Sequence, residues 1–296
     1  MGNILTKQFY RQRKDFEDSC AGRDAGLTFP EGVICSTDIA YADDGIKAHM
    51  LDIYRPEDSQ EKILPVIINV HGGGLIIGNK EFNRYFCALL CKKGFLVYSI
   101  EYRLIPDCLI YDQIADVFIA MDYIKERLAA DGGDSSHVYM AGDSAGACLI
   151  TYANAIQNNT NIARAANVTP SGLRINALGL ISGMFYTSRF DKIGLFLPKY
   201  LYGRDYKKTP FAKYVNPENR ELLNSLAPVW LVTSHNDFLR RYTTDFEKAL
   251  TRAEREHELV VFPKNKKLTH AFSVFEPFLP ESSAVIDMMV EYLRKF

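Results

Sequence analysis

The stretch that most constrains this chain runs from His137 to Gly146. A short apolar run, Val138 to Ala141, ends in Gly142-Asp143-Ser144-Ala145-Gly146, and a segment readable as a helix, Ala147 to Gln157, follows at once. A strand that gives way to a helix across one pentapeptide must bend sharply, and the residue at the apex takes a strained backbone conformation. The flanking glycines remove side chains that would collide with neighbouring backbone. Such a turn exposes the serine Oγ at the sheet edge and points the first amides of the next helix towards it, the context of a nucleophile elbow. On its own the pentapeptide reads equally as a glycine-rich turn with a surface serine, so the rest of the chain decides.

At 296 residues with 47% hydrophobic content, the chain can bury a large core as one α/β domain or as two smaller ones. Formal net charge is −1 with both signs interspersed, which suggests neither a nucleic-acid footprint nor a polybasic membrane patch. Six cysteines (20, 35, 87, 91, 108, 148) occur without C-x-x-C pairs, so neither zinc nor thioredoxin-like chemistry is expected, and no metal or cofactor is called for. Their spread through apolar segments suits a reducing compartment, and Cys87 with Cys91 reads as helix packing. The first 24 residues are charged and lack the apolar core of a secretory signal, and no run reaches membrane-spanning length. A cytoplasmic location and no stable membrane insertion are the expectations. Met1-Gly-Asn-Ile-Leu-Thr6 fits the myristoylation pattern, but the residues after it equally suit a helix packed on the body.

Taken in order, residues 3–24 carry Ile4, Leu5, Phe9, Phe16 and Cys20 as a rough helical stripe. Val33 to Tyr41 and Lys47 to Tyr54 read as strands joined by a hairpin turn at Asp43-Asp44-Gly45, and residues 57–62 as an exposed polar loop. Leu64 to Val70 is a continuous apolar run of the kind buried on both faces of a parallel sheet. Further strands are expected over Phe95 to Ile100, 174–181, Val229 to Thr233 and Leu259 to Phe262. Helices are expected over Phe82 to Lys93, Ile114 to Leu128, Thr243 to Glu256 and Ser282 to Phe296. In Ile114 to Leu128 the apolar positions are Val117, Ile119, Met121, Ile124 and Leu128. Strands alternating with helices predict right-handed βαβ units and a mainly parallel sheet with helices on both faces. We expect a single unit over residues 1–296.

Residues 183–226 break the alternation with many aromatics, Phe185, Tyr186, Phe190 and Phe196 among them, mixed with Lys, Arg, Gly and Pro. An irregular insertion beyond a strand's carboxyl end is where a cap over a ligand would sit. The alternative is a helical hairpin whose aromatics pack on the sheet. Residues 1–30 are a second cap candidate.

His71-Gly-Gly-Gly74 is the second strong signal, placed after a buried strand and upstream of the elbow. With glycine there, the amides of Gly73 and Gly74 can approach a substrate carbonyl and, with Ala145, offer three donors to an oxyanion. A serine hydroxyl needs a base. Of the six histidines, His49 lies in the early hairpin, His71 in the glycine motif and His137 ahead of the elbow strand. His235 is too close to the best acid, and His257 sits in a charged run read as a solvated helix end. His270 remains, in a loop between the last strand and the final helix. The acid should end the strand after the insertion, which selects Asp237 over Asp191, Asp205 and Asp245.

His71-Gly-Gly-Gly74, Tyr102-Arg-Leu-Ile-Pro106, Gly142-Asp-Ser-Ala-Gly146, Asp237 and His270 together resemble the hormone-sensitive-lipase-like esterases of the α/β-hydrolase superfamily, over roughly residues 45–296. The resemblance implies an α/β-hydrolase fold with a helical cap and a serine carboxylic-ester hydrolase acting on small, often short-acyl esters through an acyl-enzyme. It assigns Ser144, His270 and Asp237 as the catalytic triad and Gly73, Gly74 and Ala145 as the oxyanion hole. Leu75, Asp143, Phe185, Tyr186 and Phe238, which flank these motifs or open the insertion, are the candidates for substrate contact. The expected partner is a small-molecule ester; nucleic acid is not expected, and a homodimer is compatible with the sequence. The departures are Leu75 for an aromatic, Ile105 and Asp107 within the tyrosine motif, Phe238 for Pro after the acid, and Ala271 for Gly after the histidine. They leave every catalytic atom in place and bear on pocket shape. An amidase or formamidase, an acyltransferase using the same triad, and a non-catalytic small-ligand receptor on this fold are the alternatives.

Overall fold

The apolar runs that read as buried strands form the middle of one eight-stranded sheet in the computed structural model, which describes residues 2–59 and 62–296. Met1, where the acylation pattern begins, and residues 60 and 61 of the polar loop lie outside the described residues. The strands are β1 (Val33–Ala40), β2 (Met50–Pro56), β3 (Leu64–Val70), β4 (Leu96–Ile100), β5 (Gly133–Asp143), β6 (Ala177–Ile181), β7 (Val229–Ser234) and β8 (His257–Phe262). Their order is β1-β2-β4-β3-β5-β6-β7-β8. β2 pairs antiparallel with β1 and with β4, and every other neighbour is parallel. Helices are α1 (Gly2–Asp24), α2 (Arg84–Lys92), α3 (Ile110–Arg127), α4 (Ala145–Asn158), α5 (Thr160–Ala166) and α6 (Lys192–Phe196). After them come α7 (Pro198–Leu201), α8 (Arg220–Asn224), α9 (Arg240–Arg252), α10 (Phe272–Phe275) and α11 (Pro280–Leu293).

Alternation along the strands divides the core between two faces. Val66, Ile68 and Val70 pack into the layer that holds α3 and α4, while Ile67 joins Phe86, Trp230 and Met289 on the face of α2 and α11. A period of two with both faces covered explains why β3 reads as one uninterrupted apolar run. α4 is buried almost throughout, because it crosses the centre of the sheet.

Several element edges differ from the sequence reading, each for a local reason. α3 starts a turn early because the Asp112 carboxylate accepts the Leu109 amide at 2.8 Å, and Ile119 on that helix is exposed. α9 stops at Arg252, since Glu254 takes a left-handed φ of 54°. His257 therefore opens β8 instead of ending a helix. The β1–β2 connection is a broad loop over 41–49. The buried His49 holds it, with Nδ1 2.7 Å from Asp44 and Nε2 3.0 Å from Asp116.

Parallel pairing of β3 with β5 sets Val70 opposite Gly142, so the segment after β3 emerges beside the turn that follows β5. α4 descends from that turn so close to β3 that a Cβ on Gly146 would lie 2.0 Å from the Val70 carbonyl oxygen. Backbone cannot give way there as a flexible side chain would. Gly146→Ala is expected to lower stability by about 3 kcal/mol, at the upper end for overpacking, read as a shift of the urea midpoint.

Candidate active site

Ser144 sits where β5 ends and α4 begins, at φ 51° and ψ −112°. That non-glycine strain is held by three hydrogen bonds: the Ser144 amide donates to Ile181 O at 2.8 Å, and its carbonyl accepts from Met184 N at 2.9 Å and Cys148 N at 3.3 Å. The Oγ is 2.9 Å from His270 Nε2. His270 Nδ1 is 2.7 Å from Asp237 Oδ1. Asp237 is buried, and its other oxygen accepts from Thr233 Oγ1 at 2.8 Å while Oδ1 also accepts the Leu239 amide at 2.8 Å. Burial pushes this carboxyl up, but the hydrogen bond and charge of His270 outweigh it and hold it below the ordinary aspartate range. A hydroxyl bonded to an imidazole that a buried carboxylate orients is equipped to lose its proton as it attacks an electrophile.

Ala271 follows the histidine in a left-handed conformation, φ 48°, where glycine would be at ease. Its amide donates to Ser182 Oγ at 3.1 Å, a tether that fixes the loop carrying His270.

The glycine segment folds beside Ser144. Gly73 has φ 111°, and a Cβ there would meet the Ile77 carbonyl oxygen at 2.0 Å. Gly74 faces open space. The chain's own backbone therefore already requires glycine at position 73. Among the described residues, the hydrogen bonds that close this turn use Gly73's carbonyl and leave the amides of Gly73, Gly74 and Ala145 unengaged.

Five residues outside the triad pin this arrangement. Asp143, 2% exposed, accepts from the Gly72 amide and from Asn83 Nδ2, both at 3.0 Å, so it ties the elbow to the glycine turn. Burial raises its carboxyl, against the pull of Asn83 and the two nearby histidines. His71 places Nδ1 2.7 Å from Gly72 O and Nε2 2.9 Å from Glu101. The Gly72 carbonyl can only accept, so Nδ1 carries a proton, and Nε2 shares a second one with Glu101. Burial acts to lower its pKa, and the Glu101 charge and hydrogen bond overcome that and raise it. Tyr102 stacks on the His71 ring at 4.3 Å and donates its OH to His71 O at 2.8 Å, which gives the tyrosine motif a place in the site. Asn83 and Glu101 carried no signal in the sequence, because the partners that bring them to the site, Asp143 and His71, are remote in the chain.

A cavity of about 440 Å³ opens onto Ser144. Gly73, Gly74, Asp143, Phe238 and His270 line it, together with Gln12 and Phe16 of α1 and Ile193 and Leu197 around α6. Phe238 is 75% exposed and lies 4.4 Å from the His270 ring. Leu75, Phe185 and Tyr186 stand outside the lining. Leu75 is fully buried, and its carbonyl accepts from Ile105 N at 2.9 Å and Gln113 Nε2 at 3.0 Å. Phe185 stacks on Phe246 at 4.1 Å, and Tyr186 sets its ring edge-on to Tyr242 at 5.3 Å, so both serve packing between the insertion and α9. Of the rejected histidines, His137 bonds Asp134 and His235 bonds Arg240, both on the exterior.

α1 is fastened to the site through Arg13. Its guanidinium donates to Ile76 O at 2.8 Å, Leu104 O at 3.0 Å and Ile105 O at 2.6 Å, and pairs with Asp107 at 2.7 Å. Tyr10 OH also bonds Asp107. Lysine lacks the planar fork that reaches four acceptors. Arg13→Lys is expected to speed amide hydrogen exchange in residues 103–107 and in α1 by about tenfold, measured by mass spectrometry.

Asp237 gives a second expected outcome. Its folded-state carboxyl lies below the unfolded one, so its stabilising effect is complete above the ordinary aspartate value of about 3.9 and fades as pH falls through the folded value. The stability gap between wild type and Asp237→Asn should therefore narrow on going from pH 6 to about pH 3, followed by urea unfolding. A constant gap would refute the depressed carboxyl.

A family model described as the alpha/beta hydrolase fold matches residues 67–273. A probable isoprenylcysteine alpha-carbonyl methylesterase of Oryza sativa subsp. japonica is 30% identical over 184 residues, 58% of this chain and 44% of that protein. Esterase LipC of Mycobacterium tuberculosis is 32% identical over 122 residues, 41% of this chain and 30% of its own length. The chain spans less than half the length of these curated relatives. In fold it is similar to esterase B of Lactobacillus rhamnosis, with a TM-score of 0.92 at 22% identity over 100% of this chain and 96% of that one. A bacterial heroin esterase gives a TM-score of 0.72 at 24% identity, over 97% and 91%. Among the described residues no helix is long and apolar enough to cross a membrane. With the family model spanning most of its length, the chain belongs to the hormone-sensitive-lipase-like family of the α/β-hydrolase superfamily.

Proposed function

We propose that this chain is a serine esterase that hydrolyses small carboxylic esters with short acyl groups. The observation that carries the reading is the unbroken relay from Asp237 through His270 to Ser144, at 2.7 and 2.9 Å, beside a glycine turn with unengaged amides. In this reading Ser144 Oγ attacks the ester carbonyl carbon while its proton passes to His270 Nε2. The carbonyl oxygen becomes an oxyanion that accepts from the amides of Gly73, Gly74 and Ala145. His270 then gives the proton to the departing alkoxide, leaving an acyl-enzyme and a free alcohol. Water attacks the acyl carbon as His270 takes its proton, and Ser144 leaves with that proton as the carboxylic acid departs. Asp237 stays ionised and steadies the imidazolium.

Short acyl chains are supported by the cavity's walls. Phe16, Phe82 and Phe275 line it as contacting rings, with centroids 4.8 and 4.6 Å apart, and leave little room for a long chain to extend. Esterase B, similar in fold, has been captured with a C4-C4 tributyrin phosphonate and in a C6-C4 inhibited form. In the same reading residues 1–30 and 183–226 act as the cap of a single unit, since each supplies side chains to the cavity. A cytoplasmic setting would keep the six free thiols reduced.

The test is a p-nitrophenyl ester series from acetyl to long acyl groups, run with wild type and Ser144→Ala. Activity should peak at short chains, and Ser144→Ala should lose about 10⁶ of kcat. Retained turnover in Ser144→Ala would sink the triad, and a maximum at long chains would sink the short-acyl assignment. Adding an alcohol as competing acceptor separates hydrolysis from acyl transfer, since only a transferase would form the new ester in preference to the acid.

A further inference from the structure

Beside the cavity mouth the chain exposes large apolar side chains that its own fold leaves uncovered. Phe190 is 92% exposed, and Leu195 and Phe196 are 57% and 59% exposed. Their neighbours Ile193 and Leu197 line the cavity, so α6 presents apolar groups both to the cavity and to solvent. Phe238, at the same cavity and 75% exposed, enlarges the apolar surface. Isolated exposed apolar residues are ordinary; several together at the mouth of a binding cavity mark a contact surface.

Charge says what covers it. Residues 189–213 hold seven Lys and Arg against two Asp, in a chain whose formal net charge is −1. Lys192, Lys199, Arg204 and Lys207 are exposed and have no carboxylate partner among the described residues. A second copy of the chain meeting this face symmetrically would set cation against cation. An anionic lipid surface satisfies both features at once, because acyl chains take the aromatic and leucine side chains while headgroups meet the lysines. We propose that residues 189–208 dock the cavity mouth onto an anionic lipid–water interface. Docking at the surface needs no spanning helix, and it is independent of the chemistry assigned to Ser144.

Wild-type protein sedimented with phosphatidylcholine vesicles carrying about 30% phosphatidylserine, at about 0.1 M salt, should partition at least about tenfold more strongly than with phosphatidylcholine alone. Raising salt to about 1 M should remove that difference. Lys192→Glu with Lys199→Glu should abolish the preference for anionic vesicles. Phe190→Ser, Leu195→Ser and Phe196→Ser together should lower partition to all vesicles by about tenfold or more. The thermal transition of each variant reports whether it is folded, and the wild-type measurement tests the proposal without any variant. Absence of wild-type binding to anionic vesicles would overturn it, as would folded variants that partition like wild type. Self-association that the triple variant abolishes, with no vesicle binding, would assign the face to a second copy instead.

Discussion

Val70 and Gly142 face each other across β3 and β5, and the Val70 carbonyl lies where a side chain on Gly146 would begin. That contact sets how near α4 can come to the sheet, and therefore where its first amides point. It also brings the chain leaving β3 alongside the serine turn, so the glycine motif meets Ser144 without any long-range adjustment. Asp143 then fastens the two loops to each other through the Gly72 amide. If the helix moved out by the width of a methyl group, the serine, the amides and the Asp143 tie would lose register together. The packing density of the interior makes this a discrete arrangement and not a soft one.

Around that contact lies an unusual concentration of buried charge. Lys80, almost fully buried, meets the buried Asp52 at 2.9 Å and Asp38 at 2.8 Å, and its backbone amide donates to Glu101. Glu101 also holds His71, which holds the glycine turn. Burying ion pairs seldom adds net stability, since desolvation offsets most of the attraction. Removing one partner is costly, however, because the other is left uncompensated. Such a network is better suited to fixing one geometry than to strengthening the fold, and through Glu101 and His71 it reaches the glycine turn beside Ser144.

The sequence carried the sheet, the elbow, the glycine turn and the order of serine, acid and histidine because each depends on short-range pattern. Uninterrupted apolar runs mark strands covered on both faces, and glycine spacing marks backbone that must pass close to backbone. Pocket lining was legible only in part. Asp143 and Phe238 line the cavity, and Asp143 also accepts from Gly72 N and Asn83 Nδ2. Leu75, Phe185 and Tyr186 point into packing, since an aromatic near a motif is drawn to the core as readily as to a cavity. Phe16 and Gln12 come from a helix more than a hundred residues upstream of Ser144, a proximity that only tertiary folding creates. Segment charge needs no folding to be read, but a near-neutral total conceals the basic stretch over residues 189–213.

Arg13 joins parts that are usually considered separately. One guanidinium holds the helix that walls the cavity, the backbone at Ile76 that continues from the glycine turn, and the loop at Ile105 that pairs with Leu75. The wall and the dipoles near Ser144 therefore share a fastener. A guest large enough to push α1 aside would also slacken the backbone of the glycine turn, so under the proposed function an oversized ester would disorder the amides of Gly73 and Gly74 as it entered.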